Sequence, residues 1–274
     1  MTGDANYFKK QRNENDWALY EGKMIHQFTA NFSLPNYFVE PNEALGILLQ
    51  KEVKRIKKGL NITKKIEEIK TFFLEQNYLL DCQTYRLAYR AVGSSTNERT
   101  LISSIIPANV FSVHSINYLV NCHYEKSENF FVQAKQSNVE IVFLMAMLNS
   151  LTINYYIRNK VSANLTMFYL YELPIPKVSK KLRQQIIEKS FTLLYAKSKS
   201  ELYEDLRQEL KLAPINPEEL DLIQIRAELE IIIAKLYDLN QKDWMYLTST
   251  FTYGGKSATK KELDEIIEIS GEIF

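Results

Sequence analysis

Residues 84–92 read TYRLAYRAV, and their alternating character decides the fold. Because a strand turns every second side chain to the same face, one face carries tyrosine, leucine and alanine and the other carries Arg86 and Arg90, about 13 Å apart. A polar loop, GSSTNERT at 93–100, leads to LISSII at 101–106, which Pro107 ends. The pattern predicts two strands of one twisted sheet.

Working outward, further short strands are expected near 115–123 and 129–134. A third strand of the twisted sheet is expected at 165–173, and a buried helix at 138–157. After Pro176 the apolar spacing becomes helical, and the expected helices are 178–197, 199–211, 217–238, 241–250 and 260–270. The prediction is an α+β fold. It has a mixed α/β domain with a twisted sheet at 1–176, followed by a helical region at 177–274.

Two helices are predicted before the sheet. One runs from Asn42, as its cap, to about Lys58, and the other starts at Asn61 or Thr63 and runs through Gln76. Between residues 51 and 65 the only acidic side chain is Glu52. The cations there are Lys51, Lys54, Arg55, Lys57, Lys58, Lys64 and Lys65. Such a cluster is either a solvated helix face or a contact to a polyanion.

The net charge of +1 hides an asymmetry. Residues 1–200 carry 26 Lys and Arg against 17 Asp and Glu, whereas residues 201–274 carry 8 against 16. A basic body with an acidic tail suggests that the body meets a polyanion and the tail does not. The acidic region is expected to act as a docking or spacer element.

Chemistry-bearing motifs are absent from the sequence. Gly255-Lys256-Ser257 lacks the upstream glycine of a phosphate-binding loop, and the histidines are scattered. A zinc site at Cys82, Cys122 and His123 is conceivable but has the wrong spacing. There is no glycine-rich loop for S-adenosylmethionine and no Asn/Asp/Ser-Pro-Pro-Tyr/Phe motif for a target adenine. No catalytic residue and no metal ligand is therefore predicted.

The compartment expected for this chain is the cytoplasm. Two cysteines without paired spacing fit a reducing environment. The polar N-terminal segment has no apolar run typical of a signal peptide, and no apolar stretch is long enough to span a bilayer. No membrane partner is expected.

Four segments, in this order, resemble one family: LYEGKMIHQF (19–28), YRLAYRAVGSSTNERTLISSIIP (85–107), LMAMLNSLTINYYIRNKVSANLTMFYLYELPIP (144–176) and RAELEIIIAKLYDLNQKDWMYLTSTF (226–251). They are similar to the TaqI-like C-terminal specificity domain of type IIG, BREX and DISARM adenine-specific DNA methyltransferases. The third segment also resembles type I restriction specificity subunits. One departure is that the family often has Asp where Glu230 or Ile231 stands.

The resemblance implies a target-recognition domain of a restriction-modification or phage-defence system, which reads double-stranded DNA and is not an enzyme by itself. S-adenosylmethionine would bind only to a methylase core, which this sequence does not contain. That core would be the partner, either on the same full-length chain or as a separate subunit.

Within the family-like segments, the residues expected to bind DNA are Lys23, Arg86, Arg90, Ser95, Asn97, Arg99, Arg158 and Lys160. Cations would neutralise phosphates, and the small polar side chains of the loop suit both phosphates and base edges. Other roles stay open. Ser95 and Asn97 are also ordinary turn residues, and Arg86 and Arg90 could instead pair with internal carboxylates.

Two other functions compete with DNA recognition. A helical protein–protein adaptor would use the acidic C-terminal region. It would bind a protein partner tightly and would show no salt-sensitive binding to DNA. A restriction nuclease with an unrecognised metal site would cut DNA in the presence of magnesium.

Overall fold

The computed structural model of the chain describes residues 2–161 and 163–274. The strands are β1 Trp17–Tyr20, β2 Tyr37–Val39, β3 Arg86–Arg90, β4 Ser103–Ile106, β5 Phe111–Ser112, β6 Ile116–Tyr118, β7 Cys122–Ser127 and β8 Phe130–Lys135. The helices are α1 Pro41–Gly59, α2 Ile66–Glu75, α3 Asn138–Asn149, α4 Leu151–Arg158, α5 Met167–Tyr171, α6 Lys180–Lys197, α7 Glu204–Glu209, α8 Leu222–Leu236, α9 Gln241–Ser249 and α10 Ala258–Ile273. The predicted α+β class is confirmed, with small sheets in the N-terminal half and a helical C-terminal region.

The predicted pairing of 84–92 with 101–106 in one sheet is confirmed, but the third strand is not the predicted one. β3 lies between β4 and β6, antiparallel to both. The prediction of a strand at 165–173 is wrong, because that segment contains α5. β6 occupies the edge of β3 that β4 leaves open. The chain just before α5 therefore pairs with this part of the structure only through a single bridge between Val92 and Asn164.

Two further sheets complete the β structure. β1 lies between β2 and β5, antiparallel to β2 and parallel to β5. β7 and β8 form a separate hairpin with Ser127 opposite Phe130. Helices α1 and α2, the sheet of β1, β2 and β5, and the β7–β8 hairpin enclose a second core around buried residues such as Val53 and Phe73.

The predicted helix at 138–157 is two helices that meet at Ser150 with a bend of 62°. The Ser150 hydroxyl accepts a hydrogen bond from the N–H of Ile153 and donates one to the carbonyl of Met147, so it caps both helices. No single helix within the described ranges is long and apolar enough to cross a membrane, and this bent pair reaches that length and composition only together.

Two predicted helix starts need correction. Glu40, not Asn42, caps α1: its carboxylate accepts hydrogen bonds from the N–H groups of Asn42 and Glu43 at 3.1 and 2.9 Å. A charged acceptor at the positive end of a helix is a strong cap. The helix predicted from 217 begins at Leu222, capped by Asp221, and is preceded by a short 3-10 turn.

The helical C-terminal region shares its core with the α/β body. Residues of β3, β4, α3, α6 and α8 bury their apolar side chains in the same cluster. A smaller cluster joins α4, α8, α9 and α10 around the buried Trp244. The helical region that begins near residue 177 therefore packs into the same hydrophobic core as the sheet of β3 and β4.

Candidate nucleic-acid interface

Arg86 was predicted to face DNA, but it is a core residue of β3 with 1% of its surface exposed. Its guanidinium donates a hydrogen bond to the carbonyl of Val110 at 2.6 Å and lies 4.8 Å from the ring centre of Tyr118. Burial lowers the pKa of Arg86 from its usual value. The prediction of a surface contact is wrong, because β6 and the loop after β4 cover this side of the strand.

Arg99 and Arg158 are also enclosed. Arg99 has 3% of its surface exposed. Arg158 donates hydrogen bonds to the carbonyl oxygens of Asn97 and Glu98 at 2.9 and 2.7 Å and lies 4.2 Å from the ring centre of Phe251. Arg158, which is half-buried, thus fastens the 93–100 loop to α4, and burial removes Arg99 from the predicted positive surface.

Three other predicted cations have partners nearer the surface. Arg90 is half-buried and donates two hydrogen bonds, of 3.0 and 2.7 Å, to the carbonyl of Ile25. Lys23 and Lys160 are exposed, and each forms an ion pair, Lys23 with Glu21 at 3.4 Å and Lys160 with Glu172 at 3.0 Å. Of the six predicted cations, only these two lysines are exposed.

The 93–100 loop is a junction between the sheet and the C-terminal helices. The carboxylate of Glu98 accepts hydrogen bonds from the hydroxyls of Ser257 and Thr259 in the first turn of α10. Near the tip, Ser95 is half-buried and Asn97 is exposed. Most of this loop therefore fixes the fold, and only its tip remains available to a ligand.

The backbone after this loop is held from the helix side. Asn154 accepts hydrogen bonds from the N–H groups of Thr100 and Leu101, and its amide donates to the Leu101 carbonyl. Asn149 makes the same kind of contact with Ser103 of β4. The asparagine and serine of the family-like LNS stretch thus act in the fold and do not face solvent.

A different surface gathers positive charge, at the last two turns of α1 and the α1–α2 loop. We call it the basic corner, and it consists of Lys51, Lys54, Arg55, Lys57, Lys58, Lys64 and Lys65. All of these are exposed except the half-buried Lys57. Lys51, Lys54 and Lys58 recur at helical spacing, so they lie along one face of α1.

The basic corner has a single acidic side chain within residues 51–65, Glu52, which pairs with Arg55. Two of its lysines also contact neutral groups. The Lys57 ammonium donates to backbone carbonyls of the α1–α2 loop, and Lys64 lies 4.7 Å from the ring centre of Phe130. This last contact joins the corner to the β7–β8 hairpin. In the sequence, the corner is visible as the excess of Lys and Arg over acidic residues at 51–65. The strand alternation of 84–92 indicated instead Arg86, which is buried, and Arg90, which is half-buried.

An apolar cavity of about 350 Å³ lies between α4 and α9. Its walls include the rings of Tyr155, Tyr156, Tyr237 and Tyr246. Tyr246 of this wall exposes 66% of its surface, and Met245, the preceding residue of α9, exposes 63%. This is the most apolar concave surface described for the C-terminal region, and it is distant in sequence from the basic corner.

No group of three or more His, Cys, Asp or Glu side chains in the described ranges could hold a metal ion. Cys82 and Cys122 are buried free thiols, and burial raises their pKa values to about 11 and about 12. Neither is poised as a thiolate nucleophile.

No protein-family model matches the chain, and no curated protein is significantly similar to it.

Proposed function

We propose that this chain is a DNA target-recognition domain of a restriction-modification or phage-defence adenine methyltransferase system, without catalytic activity of its own. The observation that carries the proposal is the basic corner, where seven Lys and Arg fall within residues 51–65 and six of them are exposed. The order of the four family-like segments supports the methyltransferase context.

The basic corner suits a phosphate backbone. The face from Lys51 to Lys58 is about 10 Å long at 1.5 Å per residue, and the α1–α2 loop extends it. Duplex DNA carries a negative charge about every 1.7 Å along its axis, so such a row meets several phosphates and releases their counterions. Base readout would need other groups, and the exposed tip of the 93–100 loop with Ser95 and Asn97 is the proposed source.

Methyl transfer belongs, in this proposal, to a separate methylase core that binds S-adenosylmethionine. The core would lie on the same polypeptide or on another subunit and would close on the DNA from the other side. Addition of such a core should therefore strengthen DNA binding without any change in the contacts of the basic corner.

The test is a salt-dependent binding titration with duplex DNA. The wild type is compared with a triple variant, Lys54→Ala, Lys58→Ala and Lys65→Ala. The matched control, Lys177→Ala, Lys180→Ala and Lys181→Ala, removes three exposed lysines near the start of α6. We expect the corner variant to bind more weakly on all sequences and to lower the salt slope by up to about three units, about one per phosphate contact. Equal binding by both variants, or affinity that ignores salt, would refute the proposal.

A protein–protein adaptor is the second candidate, favoured by the tyrosine-lined cavity and the exposed Met245 and Tyr246 beside it. It predicts that a Met245→Ser, Tyr246→Ser variant loses a protein partner while salt-sensitive DNA binding is absent from the wild type. A magnesium-dependent cleavage assay tests the nuclease alternative, since a recognition domain leaves the DNA intact.

A further inference from the structure

Arg99 is buried without a polar partner. Its side chain makes no hydrogen bond and no ion pair with any residue in the described ranges, and its Nη1 atom is inaccessible to solvent. The guanidinium lies 5.5 Å from the ring centre of Phe251. A guanidinium carries five N–H donors, and a buried donor without an acceptor is costly.

A small cavity of about 20 Å³ lies beside this guanidinium, beneath the 93–100 loop. Its charged lining consists of the cations Arg99, Arg226 and Lys197 and the carboxylates Glu98 and Glu262. His26 and Gln27 also line it. A volume of this size holds about one particle as large as a water molecule.

The cations around the cavity outnumber the carboxylates. Arg226 pairs with Glu230, and Lys197 pairs with Glu262. Glu98 is the third nearby carboxylate, but its hydrogen bonds come from hydroxyls of α10.

The remaining nearby cations have only neutral partners. Arg90 and Arg158 donate to backbone carbonyls alone. Burial, and then the neighbouring Arg226, lower the pKa of Arg99 to about 9, so it stays charged at neutral pH. A positive charge therefore lies in the interior without a contacting counter-charge.

We propose that this cavity is a binding site for one small monovalent anion of halide size, with the Arg99 guanidinium as its principal ligand. Glu230 and Glu98 offset the charge of Arg99 only from a distance. A water molecule would accept a hydrogen bond from Nη1 but would bring no negative charge into contact with the guanidinium. An anion would accept the hydrogen bond and would also bring a negative charge into contact with the guanidinium. The site is independent of the proposed DNA contact, because Arg99 is covered by the loop that it supports.

Binding would tie the 93–100 loop to α8 and α10, since the cavity is lined by Arg226 of α8 and by Thr259 and Leu263 of α10. A ligand that binds only the folded state raises stability with the logarithm of its concentration. The melting temperature should therefore depend on halide concentration.

The first experiment is thermal unfolding in sodium chloride, sodium bromide and sodium gluconate at equal ionic strength. We expect the wild type to melt at a higher temperature in the halides and to gain further with concentration. Arg99→Gln should abolish the difference between halide and gluconate. The control Arg12→Gln, on an exposed arginine outside both proposed sites, should keep it.

The second experiment keeps the proposal falsifiable if Arg99→Gln does not fold. Crystals of the wild-type chain soaked in sodium bromide should show an anomalous scattering peak within contact distance of the Arg99 guanidinium. Such a peak establishes the site. Density for water alone in the cavity, or a halide effect on melting that persists in Arg99→Gln, would overturn it.

Discussion

The carboxylate of Glu230 on α8 accepts a hydrogen bond of 2.7 Å from the backbone N–H of Leu151, the first residue of α4. Its other oxygen is held by Arg226 at 2.9 and 2.6 Å, and Arg226 also donates to the carbonyl of Asn149 at 2.6 Å. The bend at Ser150 leaves an orphan N–H on one side and an orphan carbonyl on the other. One buried ion pair satisfies both, so α8 fixes the angle between α3 and α4.

Removal of this carboxylate should destabilise the chain strongly. Glu230→Gln leaves Arg226 as a buried charge without a counter-charge, and the expected loss in the free energy of unfolding is about 3–5 kcal/mol. Chemical denaturation measures it. The control Glu218→Gln, exposed in the short 3-10 turn before α8, should change stability by less than about 0.5 kcal/mol. Equal effects of the two substitutions would contradict the role assigned to the pair.

Replacement of Arg86 should affect stability and not DNA affinity. Arg86→Ala removes the donor to Val110 and opens space beside Tyr118, and a loss of about 2–4 kcal/mol is expected. Arg86→Met fills more of the space and should cost less. The measurements are chemical denaturation and a DNA titration of the folded variant. A variant of wild-type stability with weakened, salt-sensitive DNA binding would show that Arg86 reaches the ligand after all.

Gly93 should not tolerate a side chain. A Cβ atom there would lie 2.1 Å from the carbonyl oxygen of Thr100 and 2.9 Å from a methyl group of Leu165. Gly93→Ala should therefore destabilise the chain by more than about 2 kcal/mol, since the loop backbone must move. Gly46, in the interior of α1, has nothing within 4 Å of the same position. Gly46→Ala should raise the melting temperature through about 0.4–1 kcal/mol of added stability.

His26 should make stability fall with decreasing pH. Burial, followed by the positive charges of Arg90, Arg99, Lys197 and Arg226, lowers its pKa to about 3. The unfolded chain takes up a proton on this histidine below about pH 6.5, and the folded chain does so only near pH 3. The free energy of unfolding should therefore fall between these values, by up to about 1.4 kcal/mol per pH unit from this group.

The measurement is chemical denaturation across this pH range in halide-free buffer, because an anion bound beside His26 would change the pKa of its imidazole. His26→Phe retains a ring that can stack on Phe32 and should flatten the pH dependence. His123→Gln, on the exposed side of β7, should leave the pH dependence unchanged. A parallel slope for wild type and His26→Phe would show that other groups carry it.

Local pattern was enough to predict much of the secondary structure. The alternation of 84–92, the stop at Pro107 and the helical spacing after Pro176 gave β3, β4 and the C-terminal helices to within a few residues, because strand and helix periods are properties of the backbone itself. The cluster of Lys and Arg at 51–65, read from the sequence, likewise lies mostly at the surface in the structure. A run of charged side chains is costly to bury, so most of its cations stay at the surface.

Tertiary structure alone decided which of the polar residues face solvent. Alternation assigns Arg86 to one side of a strand but does not say that β6 and the loop at Val110 cover that side. Nor does the helical pattern of 138–157 reveal the bend at Ser150, which depends on a carboxylate from α8. In both cases the deciding partner lies at least 24 positions away in sequence, and the free energy of burial depends on that partner and not on the local pattern.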